Sequence, residues 1–106
     1  MSVTASPSPT PTPQHRAAGL LTVQVVAPDG VRWSGHARGV TVPSVSGSLG
    51  ILPRHEPVAA VLAAGVVRVR PATGDPVEVT VTGGFVVVDD DEVSVLADGT
   101  VAPGDV

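Results

Sequence analysis

The residues of this chain whose types could do chemistry are three histidines, ten carboxylates and a scatter of serines. His55 and Glu56 are adjacent; on a strand, neighbours point to opposite faces, so the two make a poor acid–base pair. A solvated loop is the plainer reading of them. His36 falls beside Arg38 on the outward parity of a candidate strand, where a surface histidine is expected. No serine stands in a strand–turn–helix nucleophile context, and Gly47-Ser48-Leu49-Gly50 lacks the lysine that completes a phosphate-binding loop. Asp89-Asp90-Asp91-Glu92 places four acids in a row. Calcium draws about six to eight oxygens from a longer, defined loop, so this run reads as a solvated hairpin turn. The sequence points to no catalytic residue, no metal site and no cofactor.

The run Gly47-Ser48-Leu49-Gly50-Ile51-Leu52-Pro53-Arg54-His55-Glu56-Pro57 is different in kind. Two glycines free the backbone, while Leu49, Ile51 and Leu52 supply apolar surface to bury. Pro53 and Pro57 fix φ on either side of Arg54, His55 and Glu56. A loop with apolar anchors and rigid prolines holds those side chains in a set direction. That suits a surface that meets a partner.

The elements that must position this loop are short and valine-rich. Leu21, Val23, Val25 and Ala27 alternate with Thr22 and Gln24, the period of a half-buried strand. After the turn Pro28-Asp29-Gly30, Val31, Trp33, Gly35 and Ala37 continue the inward set. Val40 and Val42 then fall on the other parity, with Gly39 at the switch, which predicts a bulge or a bend between sheets. Val58 to Ala64 reads as a strand. Val66 to Arg70, Val77 to Val81, Phe85 to Val88 and Val93 to Leu96 follow, separated by Pro71–Pro76, Gly83-Gly84 and the acidic run. Gly83-Gly84 marks a kink or a close backbone contact. Gly99 to Val106 has room for one edge strand. Strands at this spacing with no helical period predict an all-β sandwich or barrel.

Composition sets the outer bounds. Hydrophobic residues make up 42% of the chain and aromatics 2%, so the core must be aliphatic. Residues 1–18 carry Ser-Pro-Ser-Pro-Thr-Pro-Thr-Pro and almost nothing to bury, which predicts a disordered Pro/Ser/Thr-rich tail before a single domain over residues 19–106. Without cysteine there is no disulfide framework. No apolar run approaches a membrane span, and no signal peptide is legible, which suggests a cytosolic setting. A net charge of −4, with six arginines and no lysine, argues against a surface that tracks nucleic-acid phosphates.

From about Leu20 to Asp98 the chain resembles the N-terminal domain of the epsilon subunit of F-type ATP synthases. The likeness rests on ordered features. Trp33-Ser34-Gly35 and Val40-Thr41-Val42-Pro43 lead into the central run, which is similar to the family's Gly-x-x-Gly-Ile-x-Pro-x-His-x-Pro signature. Gly65-Val66-Val67-Arg68-Val69, Gly83-Gly84-Phe85 and Val93-Ser94-Val95-Leu96-Ala97-Asp98 follow in order. The resemblance implies a flattened β-sandwich of about ten strands with no active site of its own. It implies a rotor subunit at the foot of the central stalk of a proton-translocating ATP synthase, bound to the gamma subunit and resting on the c-ring. It would lie at the cytoplasmic face of a bacterial plasma membrane as part of that complex. Carried over, Ala27, His55 and Ala60 face gamma, and Gly47, Ser48 and Leu49 form the loop that meets the ring.

Two departures stand out. The position of Ser48 is often acidic in relatives, so a charge contact with the ring is in question. After Asp98 only eight residues follow, including Pro103-Gly104; the family's inhibitory C-terminal helical hairpin is expected to be missing. Two other readings compete: a free-standing β-sandwich that binds a ligand or protein, and a metal-dependent hydrolase using His36, His55 and the acidic turn. The ordered glycines favour the rotor subunit. A chain beginning at Ala18 should match the full chain in melting temperature; a fall of several degrees would show that the tail supports the fold.

Overall fold

The computed structural model describes residues 19–101, and the Pro/Ser/Thr-rich tail lies outside the described residues. Nine strands follow one another: β1 Leu21–Ala27, β2 Gly30–Ser44, β3 Gly47–Ile51, β4 Val58–Leu62, β5 Gly65–Pro71, β6 Val77–Val81, β7 Gly84–Asp89, β8 Glu92–Ala97 and β9 Thr100–Val101. The all-β expectation holds, with nine strands among the described residues. None of those residues forms a helix long and apolar enough to cross a membrane.

The strands hydrogen-bond in the order β9-β6-β5-β2-β1-β8-β7-β4, and β3 pairs with β2. β2 is fifteen residues long and serves both layers. Its first half, Gly30 to Ala37, pairs with β1; its second half pairs with β5 on one side and β3 on the other. Between them, Ala37 faces Pro71 and Gly39 faces Arg70, so Arg38 is an extra residue in the ladder. This bulge sits at the predicted change of parity. Ser44 of β2 also meets Leu62 of β4, which folds one layer over the other.

Among the described residues seventeen buried hydrophobic ones make the core, and all are aliphatic. Leu21, Val23 and Val25 of β1 face Val40, Val42, Val67 and Val69, and Val86, Val88, Val93 and Val95 complete the same cluster. Each fully buried Val, Leu or Ile is worth roughly 1.5–3 kcal/mol. Trp33 only packs against the rim, and Phe85 points outward at 58% exposure.

Val31 departs from the inward reading and is exposed. The β1–β2 register shifts between Val25 and Val26, so that Val25 faces Trp33 while Val26 faces Val31. That irregularity turns the start of β2 out of the core. Leu52 is exposed as well, so Ile51 and the half-buried Leu49 alone anchor the central run.

Gly84 is a close-contact position. Its φ is +128°, and a Cβ there would strike the carbonyl oxygen of Leu96. Gly74 has φ +93° but open space around it. Gly74→Ala therefore isolates backbone strain, about 1–2 kcal/mol. Gly84→Ala adds a backbone collision and should lose about 3 kcal/mol or more; urea unfolding of both variants gives the comparison.

Candidate interface site

The central run folds as β3 followed by a tight turn. The His55 N–H donates to the Leu52 carbonyl at 3.1 Å, and Arg54 has φ +70°. With Pro53 in the position before it, this is a type II turn, in which the third residue must take positive φ. Arginine adopts that conformation at a cost, so something must hold it. The Arg54 N–H donates to Oδ1 of Asp91 at 2.6 Å.

Asp91 belongs to the acidic run, and its environment differs from the expected solvated turn. Asp89 pairs with Glu92, leaving Asp90 and Asp91 as a two-residue connection with φ of +54° and +62°. Positive φ at both central residues defines a type I′ hairpin, whose twist matches that of its strands. Asp91 is buried. Its carbonyl accepts from the Thr22 N–H at 2.8 Å while its carboxylate holds the Arg54 amide. One residue thus ties the β7–β8 hairpin to β1 and to the proline loop. Sequence reasoning missed it; the available signal was a two-residue connection whose second position can accept with both carbonyl and carboxylate.

The His55 ring is held too. Nδ1 lies 2.7 Å from the Glu56 carbonyl. A carbonyl only accepts, so Nδ1 carries the hydrogen, and in the neutral ring Nε2 is left as an acceptor. A cavity of about 660 Å³ opens beside it, lined by Gly19, Arg54, His55, Pro57 and Asp89 to Asp91. Among the described residues no group of three or more His, Cys, Asp or Glu side chains is arranged to hold a metal ion. His36 lies exposed on β2, where it pairs with Thr22, and its carbonyl accepts from the Ala72 N–H.

The structure does not bring Ala27, His55 and Ala60 together. Ala27 is buried at one end of β1, opposite Gly30. His55 follows the Asp91-bound turn, and Asp91 adjoins the opposite end of β1, beside Thr22. Ala60 faces Val86 and packs against the core. Both alanines share the inward face of their strands, and the neighbouring Val26 and Val61 point outward. Gly47, Ser48 and Leu49 do stand together on β3. Gly47 and Ser48 are exposed, while Leu49 packs on the core opposite Val42. The Ser44 hydroxyl donates to the Gly47 carbonyl and accepts from the Ser46 N–H, which stiffens the turn before Ser48.

A second surface was not anticipated. Val61 pairs with Phe85, Phe85 with Leu96, Leu96 with Val26, and Val26 with Val31. Paired residues share a face of the sheet, so these five form an outward row across β4, β7, β8, β1 and β2. All but the half-buried Val26 are exposed. The adjacent row, Ala59, Val87, Ser94, Gln24 and Ser34, turns polar along its length.

Residues 20–103 match the model of the ATP synthase delta/epsilon chain β-sandwich domain. The chain belongs to this family. The ATP synthase epsilon chain of Trichodesmium erythraeum is 46% identical over 79 residues, covering 74% of this chain and 57% of the relative. The epsilon chain of Halalkalibacterium halodurans is also 46% identical, over 87 residues, covering 81% and 64%. The chain therefore spans a little over half the length of such relatives. Among solved structures, a chain of the Euglena gracilis mitochondrial ATP synthase OSCP/F1/c-ring superposes with a TM-score of 0.73 at 22% identity, over 78% of this chain and 53% of that one. A chain of the Tetrahymena thermophila central stalk/c-ring gives 0.66 at 19%, over 76% and 65%. At those identities the likeness is one of fold.

The Asp91 contact to the loop can be separated from its turn conformation. Asp91→Gly keeps positive φ and removes the carboxylate; it should lose about 1–3 kcal/mol of stability, the usual range for a hydrogen bond to a charged group. Asp91→Asn retains an acceptor and should lose less than half of that. Urea unfolding measures both, and amide exchange at Arg54 and His55 should quicken in the glycine variant alone.

Proposed function

We propose that this chain is a non-catalytic rotor subunit of a proton-translocating ATP synthase, the epsilon subunit, acting at the cytoplasmic face of a bacterial plasma membrane. In this reading it binds gamma and the c-ring and so couples ring rotation to ATP synthesis. Membership of the family supports the subunit assignment. The observation that carries the partner assignment is the outward apolar row of Val61, Phe85, Leu96, Val26 and Val31. A contiguous exposed apolar patch on a small domain marks a surface that a protein covers.

Gamma covers this row and extends along β4 toward the proline loop. β4 supports that path: over Val58 to Ala60 it pairs with β7 alone among the described residues, leaving an open edge that a partner can cover, while the Val61 carbonyl accepts from the Val45 N–H at 3.0 Å. His55 then lies at the border of the contact, with Nε2 available to accept a hydrogen bond. Gly47 and Ser48 project from a turn on the other layer and meet the ring. A serine there makes that contact polar and uncharged.

Interfaces concentrate their energy in a few central, often aromatic residues. Phe85→Ser should weaken gamma binding by about 1–3 kcal/mol, roughly ten- to a hundredfold in affinity, and leave the fold intact because the ring is outside the core. His55→Ala should produce a smaller loss, and Ser48→Ala none. Calorimetric titration of gamma with each variant, after circular dichroism, makes the comparison. Unchanged binding by Phe85→Ser, with a loss in Ser48→Ala, would reverse the two faces.

A further inference from the structure

The bulge in β2 brings two arginines onto one surface. Ala37 pairs with Pro71 and Gly39 with Arg70, so Arg38 and Gly39 both stand opposite Arg70. Like charges set across a ladder from each other are destabilising, yet both side chains are exposed there. Gly39 makes the approach possible. A Cβ at this position would collide with Nη2 of Arg70 and lie 3.1 Å from Cδ2 of Leu52. On the other side, Nη2 of Arg38 donates to the Ala72 carbonyl at 3.2 Å. The strand arginines elsewhere have acids: Arg32 meets Asp29 at 3.0 Å, and Arg68 meets Glu78 at 3.2 Å. Arg38 and Arg70 have no carboxylate partner among the described residues, in a chain whose net charge is −4.

Both guanidiniums line a cavity of about 510 Å³, together with Leu52, Pro71, Gly74 and Pro76. No acid lines it. Its size falls within the range of small-ligand sites, roughly 300–1,000 Å³. We propose that this cavity binds a phosphate monoester, with the phosphoryl oxygens on Arg38 and Arg70 and the organic part against Leu52, Pro71 and Pro76. Charge selects the class. Two guanidiniums carry two positive charges in planar forks that match phosphate or carboxylate oxygens. A monocarboxylate balances one of them. A phosphate monoester, at about −1.5 to −2 near neutral pH with three acceptor oxygens, balances both. The cavity is also larger than a bare phosphate needs, and its apolar wall favours a carbon substituent. The site shares no residue with the apolar row and does not depend on the partner assignment above.

The test titrates the full chain with phenyl phosphate, inorganic phosphate and benzoate, following the arginine Nε–H and backbone amide signals by NMR. Phenyl phosphate should bind saturably and move the Arg38 and Arg70 signals. Inorganic phosphate should move the same signals at least tenfold more weakly, and benzoate more weakly still. Arg70→Gln should lower phenyl phosphate affinity at least tenfold with an unchanged melting temperature. Sedimentation with phosphatidylcholine vesicles, with and without phosphatidic acid, separates the two sources of a monoester. Binding to phosphatidic acid that needs Arg70, without phenyl phosphate binding, assigns the site to a lipid headgroup; the converse assigns it to a free ester. The proposal is overturned if Arg70→Gln behaves as the parent toward both probes, if benzoate equals phenyl phosphate, or if neither probe binds.

Discussion

Between Ala37 and Gly39, β2 carries one residue more than β5 opposite it, and the rest of the molecule depends on that extra residue. The core holds no aromatic side chain, so its two layers must come close enough for valines to touch across them. One fifteen-residue strand that belongs to both layers achieves this. Its first half presents Ala37 inward and its second half presents Val40 and Val42, and only a change of parity allows both. A straight ladder would send one of these sets to solvent. The same bulge sets Arg38 beside Arg70. The arginine cavity and the closed core thus have a common cause.

The second constraint is a set of donors that must be satisfied where three segments meet. The type II turn at Pro53-Arg54 and the type I′ turn at Asp90-Asp91 both place non-glycine residues at positive φ, which local energetics disfavour. Neither turn is held by its own segment alone. The Asp91 carboxylate engages the Arg54 amide, and its carbonyl engages Thr22. The proline loop is therefore rigid because of a residue more than thirty positions further along the chain. Such pre-organisation lowers the ordering entropy lost when a partner docks.

Much of this was legible in the sequence, and the failures share a form. Alternation of valine with polar residues located the strands, and the parity flip at Gly39 located the bulge. Gly83-Gly84 announced a close backbone approach, which Gly84 makes on Leu96. What alternation cannot report is a shift of register between two strands. Val31 keeps an inward parity on paper, yet the slip between Val25 and Val26 turns it out. Nor does alternation report what a partner can reach: Ala27 and Ala60 lie on the inward face of their strands, and the neighbouring outward residues are the accessible ones. Asp91 was illegible because burial of an acid follows from contacts distant in sequence.

The apolar row was invisible for a further reason. Its members come from β4, β7, β8, β1 and β2, and no two of them are closer than five positions in sequence. Each alone is an unremarked exposed valine, leucine or phenylalanine, normal on any surface. Cross-strand pairing turns them into one feature. The arginine pair arises in the same way, from residues more than thirty positions apart that a bulge and a side-chain-free glycine bring together. In both surfaces the chemistry lies in the register rather than in any linear motif. The linear signature, from Gly47 to Pro57, instead specifies how one loop is held. That run can therefore fix the shape of one loop, while the arginine cavity rests on Arg38 and Arg70, which the run does not include.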